Sequence, residues 1–150
     1  MTSEPLGPDD DRLLATATEL RVLVAKLRRR LAEQATAGEF TPSQASALSR
    51  LLSDGPATLT ALAKAEGMRP QSMSAIVSVL QADGVIVGQP DPADGRQIIL
   101  TLSDSARETV EAARVIKNDW LFRSFKAKFT PEEQLQLASS IELLQRLIEP

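Results

Sequence analysis

Residues 55–103 read GPATLTALAKAEGMRPQSMSAIVSVLQADGVIVGQPDPADGRQIILTLS, and the fold is decided inside this stretch. Gly55-Pro56 stops the helix before it, and Thr58 or Thr60 then opens a short helix through Leu59, Leu62 and Ala63 that Gly67 closes. Only Met68 and Arg69 separate that glycine from Pro70, which begins a further helix ending at Gly84. Two short helices joined by such a turn are the sequence form of a helix-turn-helix. Val85-Ile86-Val87 and Ile98-Ile99-Leu100-Thr101-Leu102 flank the turn-rich run Pro90-Asp91-Pro92-Ala93-Asp94-Gly95, which predicts a hairpin with the prolines outside its ladder. A helix-turn-helix followed by a hairpin is a winged helix.

Working outward, Thr41-Pro42-Ser43-Gln44 is a start signal for a helix running to Asp54, with Thr41 as N-cap, proline at the first helical position and Gln44 completing a capping box. Upstream, Leu13, Ala17, Leu20, Val24, Leu27 and Leu31 recur at helical spacing. This first long helix is expected to be capped by Asp9, Asp10 or Asp11 and to end near Gly38, with residues 1–10 as a flexible lead. Downstream, Ser103 or Asp104 caps a long helix to about Lys128, and Thr130-Pro131-Glu132-Glu133 opens a last helix to Ile148. Leu137, Ile141, Leu144 and Ile148 form one stripe of that last helix, and Leu143 and Leu147 an adjacent one, a face wider than a small domain covers. The expected architecture is mainly α with a small β-hairpin wing, in a single domain over 1–150. A winged helix-turn-helix at 55–103 is flanked by dimerisation helices at 11–38 and 104–150, and the apolar flanks point to a homodimer.

Composition narrows the chemistry. The chain of 150 residues holds no His, no Cys and no Tyr, which removes imidazole bases, thiolate nucleophiles and disulfides. No catalytic residue, metal site or cofactor is expected, and neither a thiol redox switch nor a zinc-type sensor. The start MTSEPLGPDDDR carries acids where a signal peptide carries bases, and no apolar run approaches the ~20 residues of a membrane span, so a cytoplasmic protein without a membrane partner is expected. Lys and Arg number 17 against 20 Asp and Glu, a net charge of −3 that by itself gives no hint of nucleic acid. The basic surplus lies in residues 11–36, where Arg28, Arg29 and Arg30 follow one another, a pattern that a solvated helical face also produces.

Local order points elsewhere than the total. On a helical wheel the helix from Pro70 buries Met73, Ile76, Val77 and Leu80 and turns Gln71, Ala75 and Ser78 outward, with Ser72 and Ser74 on the flanks. This outward face is small and uncharged, as a helix in a major groove requires, although it would equally keep a surface helix soluble. Gln71 matches adenine N6 and N7, serines bond bases or phosphates, and Arg69 stands where the helix dipole favours phosphate. At the hairpin tip, Asp94 lies two residues before Arg96, so the carboxylate can hold an extended guanidinium ready to enter a minor groove. A local ion pair closing the turn is the plainer account of the same two residues.

The combination of Gly55-Pro56, Leu62-Ala63, Arg69-Pro70-Gln71-Ser72-Met73-Ser74, Leu80 to Ile86, and Asp94-Gly95-Arg96 with Leu100-Thr101-Leu102-Ser103 resembles the MarR family of bacterial transcription regulators over essentially the whole chain. The resemblance implies a homodimer with intertwined terminal helices that binds a pseudo-palindromic operator on double-stranded DNA. It implies that the helix from Pro70 lies in the major groove, and that Arg96 probes the minor groove with Asp94 positioning it. Arg69, Gln71, Ser72, Ser74, Ser78, Asp94 and Arg96 are thus the expected DNA-binding residues of a repressor. Family members often carry basic residues where this chain has Ala75 and Gly88, and residues 55–103 hold only Lys64, Arg69 and Arg96 against Glu66, Asp83, Asp91 and Asp94. Modest affinity and a shallow salt dependence are expected. The resemblance further implies a small aromatic or phenolic effector, for which Phe40, Trp120 and Phe122 are the candidate pocket residues, with Phe125 and Phe129 nearby; packing at helical spacing accounts for the same aromatics. The rival reading is a winged helix that serves as a protein-interaction module and binds DNA weakly or not at all.

Overall fold

The computed structural model describes residues 7–35 and 40–150. The chain divides into two compact units, residues 1–35 and 36–150. The described part of the first is a single helix, α1 (Pro8–Gln34), which buries none of its residues. Its N-cap is Gly7 rather than an aspartate, because Asp10 is the residue that reaches back: its Oδ2 accepts the Gly7 N–H at 3.3 Å. Asp9, Asp10 and Asp11 therefore fill the first turn, where acids favour the helix dipole. Chain that was expected to be a flexible lead from Pro8 onward is helical, and the helix stops at Gln34, short of Gly38, which lies outside the described residues.

In the second unit α2 (Pro42–Asp54) starts at the expected capping box: Gln44 N donates to Thr41 Oγ1 at 3.2 Å and Thr41 N donates to Gln44 Oε1 at 2.9 Å. Gly55 ends it at φ 87°, a conformation that only glycine adopts without strain. Strand β1 (Ala57–Thr58) follows, too short for any periodic signal, and Thr58 then caps α3 (Leu59–Ala65) by accepting from Ala61 N. Gly67, at φ 64°, turns the chain into α4 (Pro70–Ala82). The hairpin of β2 (Ile86–Pro90) and β3 (Ile98–Leu102) joins β1 in an antiparallel sheet of order β1-β3-β2. The wing is thus three-stranded, with a strand from before the helix-turn-helix on its far edge.

Pro90 lies inside the ladder, opposite Ile98, and not outside it. Asp91 N donates to Gln97 O and Ser103 N to Val85 O, so the hydrogen-bonded positions of β2 are the odd ones. The nitrogen of Pro90 consequently points away from β3, and on an edge strand no bond is lost. Helix α5 (Asp104–Lys128) is capped by Ser103, and α6 (Pro131–Gln145) by Thr130 with Glu133 completing its capping box. Helix α6 stops three residues before Ile148, in a pair of turns closed by Leu147 N to Leu144 O and Ile148 N to Gln145 O.

The core brings Leu48 and Leu51 of α2, Leu62 of α3, Met73, Val77 and Leu80 of α4, Ile86, Leu100 and Leu102 of the sheet, and Val110 of α5 into one cluster. Each such side chain stabilises the fold by roughly 1.5–3 kcal/mol through burial. No helix among the described residues is long and apolar enough to cross a membrane.

Candidate nucleic-acid interface

Met73, Val77 and Leu80 fasten α4 to the core, with Ile76 partly buried beside them, and that leaves Gln71, Ser72, Ser74, Ala75 and Ser78 exposed. The sequence therefore predicts the orientation of this helix correctly: its outward face carries hydroxyls, carboxamides and small apolar groups, and no charge. Arg69 is the N-cap residue, exposed and making no side-chain capping bond, so its guanidinium stands clear at the helix start.

A contact the sequence does not announce ties the end of α3 to α2. Glu66, the C-cap of α3, has a side chain only 11 % exposed, and it accepts from two residues of α2: Arg50 Nε at 2.8 Å and Ser46 Oγ. Arg50 also reaches Asp54 at 3.3 Å. The hydrogen bond to Glu66, above all, raises the guanidinium further above its ordinary range. The turn Gly67-Met68-Arg69 therefore leaves from an anchored point, and Met68 N donates to Ala63 O at 2.8 Å to close it.

At the wing tip the expected pairing of Asp94 with Arg96 takes a different form. Asp94 Oδ1 accepts the backbone N–H of Arg96 at 3.1 Å, and Asp91 Oδ1 accepts that of Ala93 at 2.9 Å. Both are side-chain turns that hold the backbone, which suits short carboxylates two residues upstream of their donor. Among the described residues no ion pair joins Asp94 to the guanidinium, which is left to face outward beside α3. Arg96, Gln97 and Ile98 form one wall of a cleft of about 570 Å³ whose other wall is Thr58, Thr60, Ala61 and Lys64. Lys64 was not among the expected site residues; only the packing of α3 against the sheet brings it to the cleft of Arg96.

Gly88 is a second such residue. A Cβ placed there would lie 2.9 Å from Ile98 Cγ2 and 3.0 Å from Gln81 Nε2, so the glycine lets the wing and the end of α4 close over β2. Among the aromatic candidates, Phe40 packs against the core and Phe122 lines a groove of about 300 Å³ between α5 and α6, together with Phe125, Leu137 and Ile141. Trp120 is half-buried on α5, and Phe125 stacks on Phe129 with ring centres 5.9 Å apart.

The MarR family model matches residues 39–97. An HTH-type transcriptional regulator of Mycobacterium tuberculosis is 34% identical over 141 residues, spanning 94% of this chain and 96% of the relative. Among solved structures, a transcriptional regulator of Pseudomonas aeruginosa superposes with a TM-score of 0.72 at 32% identity, covering 89% of this chain and 94% of its own. A mutant MarR of E. coli complexed with operator DNA shares the fold, with a TM-score of 0.71 at 17% identity over 93% of this chain and 97% of its own.

Proposed function

The chain belongs to the MarR family of transcriptional regulators, and from that premise we propose that it is a homodimeric repressor that holds a pseudo-palindromic operator between two winged helices. The observation that carries this reading is the pairing of an uncharged, exposed face on α4 with an outward arginine at the tip of a wing built on the same core. The first suits a major groove, where base edges are read. The second suits the adjoining minor groove, whose negative potential draws a guanidinium. Arg69 and Lys64 flank these two elements and are the partners for the backbone phosphates.

Dimerisation is supported by apolar surface on the first and last helices of the chain. Leu13, Leu14, Leu23 and Val24 of α1 and Ile141, Leu143 and Leu144 of α6 are exposed, and Ile148 after α6 is 85% exposed. A monomer with this much apolar surface would be sticky; a second copy with the same faces covers it. The aromatic groove between α5 and α6 is the cavity in which a small organic effector would act, and its place on the last two helices lets occupancy alter the spacing of two reading heads.

Titration of the duplex upstream of the chain's own coding region tests the reading. Wild type should form one discrete complex, and Arg96→Ala should weaken it by about 1–3 kcal/mol. Light scattering should give a particle of twice the 16.2 kDa chain. Binding that never exceeds the affinity for unrelated DNA would leave the protein-interaction module as the better account.

A further inference from the structure

Resting on the DNA-binding reading above, we propose that the bases this protein recognises are A·T pairs, in the major groove under α4 and in the minor groove under the wing. The argument starts from which atoms each base offers. Guanine shows two acceptors, O6 and N7, in the major groove, and its usual partner is the donor fork of an arginine or a lysine. Adenine shows an acceptor and a donor, N7 and the N6 amino group, and its partner is a carboxamide. Thymine adds a methyl group, which an apolar side chain can touch.

Beyond Pro70, the exposed residues of α4 are the carboxamides Gln71 and Gln81, the apolar Ala75, Val79 and Ala82, and the hydroxyls of Ser72, Ser74 and Ser78, with no cation among them; Gln81 lies at the far end, against Gly88. Gln71, Ala75 and Ser78 follow at spacings of four and three, so they lie along one stripe of the helix. Their axial span of about 10 Å matches about three base pairs at about 3.4 Å each. Along these pairs the side chains match an adenine at Gln71 and a thymine methyl at Ala75, while the serines accept any base. Arg69 precedes the helix as its N-cap and stands at the edge of this stripe, where a phosphate rather than a base lies.

The wing leads to the same pairs by a separate route. Arg96 is offered by a backbone that Asp94 holds at 3.1 Å, and its guanidinium has no carboxylate partner among the described residues. A free guanidinium is drawn to narrow, electronegative minor grooves, which A·T runs provide, whereas the N2 amino group of guanine obstructs the floor of that groove. Two elements from different parts of the chain therefore favour one base-pair type.

Selection of duplexes from a random library by the full chain, followed by base-analogue substitution, tests this. Inosine·cytosine presents the minor groove of an A·T pair and the major groove of a G·C pair, so it separates the two readings. Selected half-sites should be A·T-rich. An inosine·cytosine pair opposite Gln71 should cost wild type about tenfold in affinity and cost Gln71→Ala almost nothing further. Under the wing, inosine·cytosine should bind like A·T, while G·C should cost about tenfold in wild type and little in Arg96→Ala. Deoxyuridine for thymine opposite Ala75 should cost severalfold. Guanines enriched under α4, or a Gln71→Ala loss equal on every sequence, would overturn the assignment and leave the regulator standing. A library that shows no enrichment would overturn the regulator reading and this one together.

Discussion

Replacing Gly88 by alanine sets two calculable effects against each other. The new Cβ would lie 2.9 Å from Ile98 Cγ2 and 3.0 Å from Gln81 Nε2, each about half an ångström inside ordinary contact. Gln81 can swing its carboxamide away at little cost. Ile98 cannot, because the offending methyl is a branch at Cβ and moves only if the rotamer or the strand moves. Overpacking of this kind costs about 1–3 kcal/mol, and the lower half applies here because Ile98 is 48% exposed and can shift outward. Against it stands a gain of about 0.4–1 kcal/mol from restricting the unfolded chain, available because Gly88 is not among the glycines with positive φ. The net expectation is a loss of about 0.5–1 kcal/mol, readable in urea at fixed protein concentration. The effect on DNA should be larger than the effect on stability, because the shift moves β3, and with it the turn that carries Arg96, relative to α4. Ile98→Leu removes the branch and should restore both readings in the double variant, whereas Ile98→Val keeps the branch and should restore neither. A Gly88→Ala protein as stable as wild type and equal to it on DNA would refute the close approach as the device that seats the wing.

Asp94→Asn keeps an acceptor for the Arg96 N–H and removes a repelling charge, so it should bind the operator at least as tightly as wild type, whereas Asp94→Ala should weaken binding severalfold; equal losses in titrations of the two would mean that the charge matters and the turn does not. In a double-mutant cycle, Arg50→Met and Glu66→Gln should show a coupling of about 1–2 kcal/mol in urea unfolding, since Glu66 is nearly buried and Arg50 is its charged donor. Thr41→Ala removes the α2 capping box and should cost about 1 kcal/mol by the same measurement, while Thr18→Ala in mid-helix should cost almost nothing. With three bases in each of the two reading heads of the proposed dimer, at most about six phosphates would be neutralised, so log K against log salt should fall with a slope no steeper than about −5. A steeper slope would bring Arg28, Arg29 and Arg30 into the interface.

What the sequence made legible follows a physical boundary between local and long-range interactions. The Thr41 and Thr130 caps, the break at Gly67 and the outward face of α4 all depend on residues within a turn or two of one another, and all were read correctly. Where two local solutions compete, reading failed by a few residues. Three successive aspartates all looked like caps of α1, but proline at the first helical position placed Gly7 outside and Asp10 at the reaching position. Strand β1 is two residues long, and only its pairing with Leu100 and Ile99 makes it a strand. The anchoring of Glu66 spans 16 and 20 residues to Arg50 and Ser46, and no spacing rule connects those positions. The same holds for Lys64 beside Arg96, and for Gly88 beneath Ile98.

The charge total shows why such contacts matter for function. Residues 55–103 carry one more acid than base, which as a sum argues against a polyanion as partner. The sum treats every charge as though it faced the same way. Glu66 is turned inward against Arg50 of α2, so its charge is compensated from outside the segment. Asp83 sits at the C-cap of α4, the end opposite Arg69 and Gln71. Asp91 and Asp94 are kept at the wing tip because each closes a turn of the backbone that presents Arg96, a task that a neutral acceptor would perform with less repulsion. In the proposed complex, two carboxylates so close to Arg96 would lower electrostatic attraction to any duplex, while the base contacts proposed for Gln71 and Ala75 would be unaffected by them. Because that repulsion acts on operator and unrelated DNA alike, it would lower affinity without changing the ratio of the two, and the ratio on which a regulator facing a whole genome depends would rest on the base contacts alone.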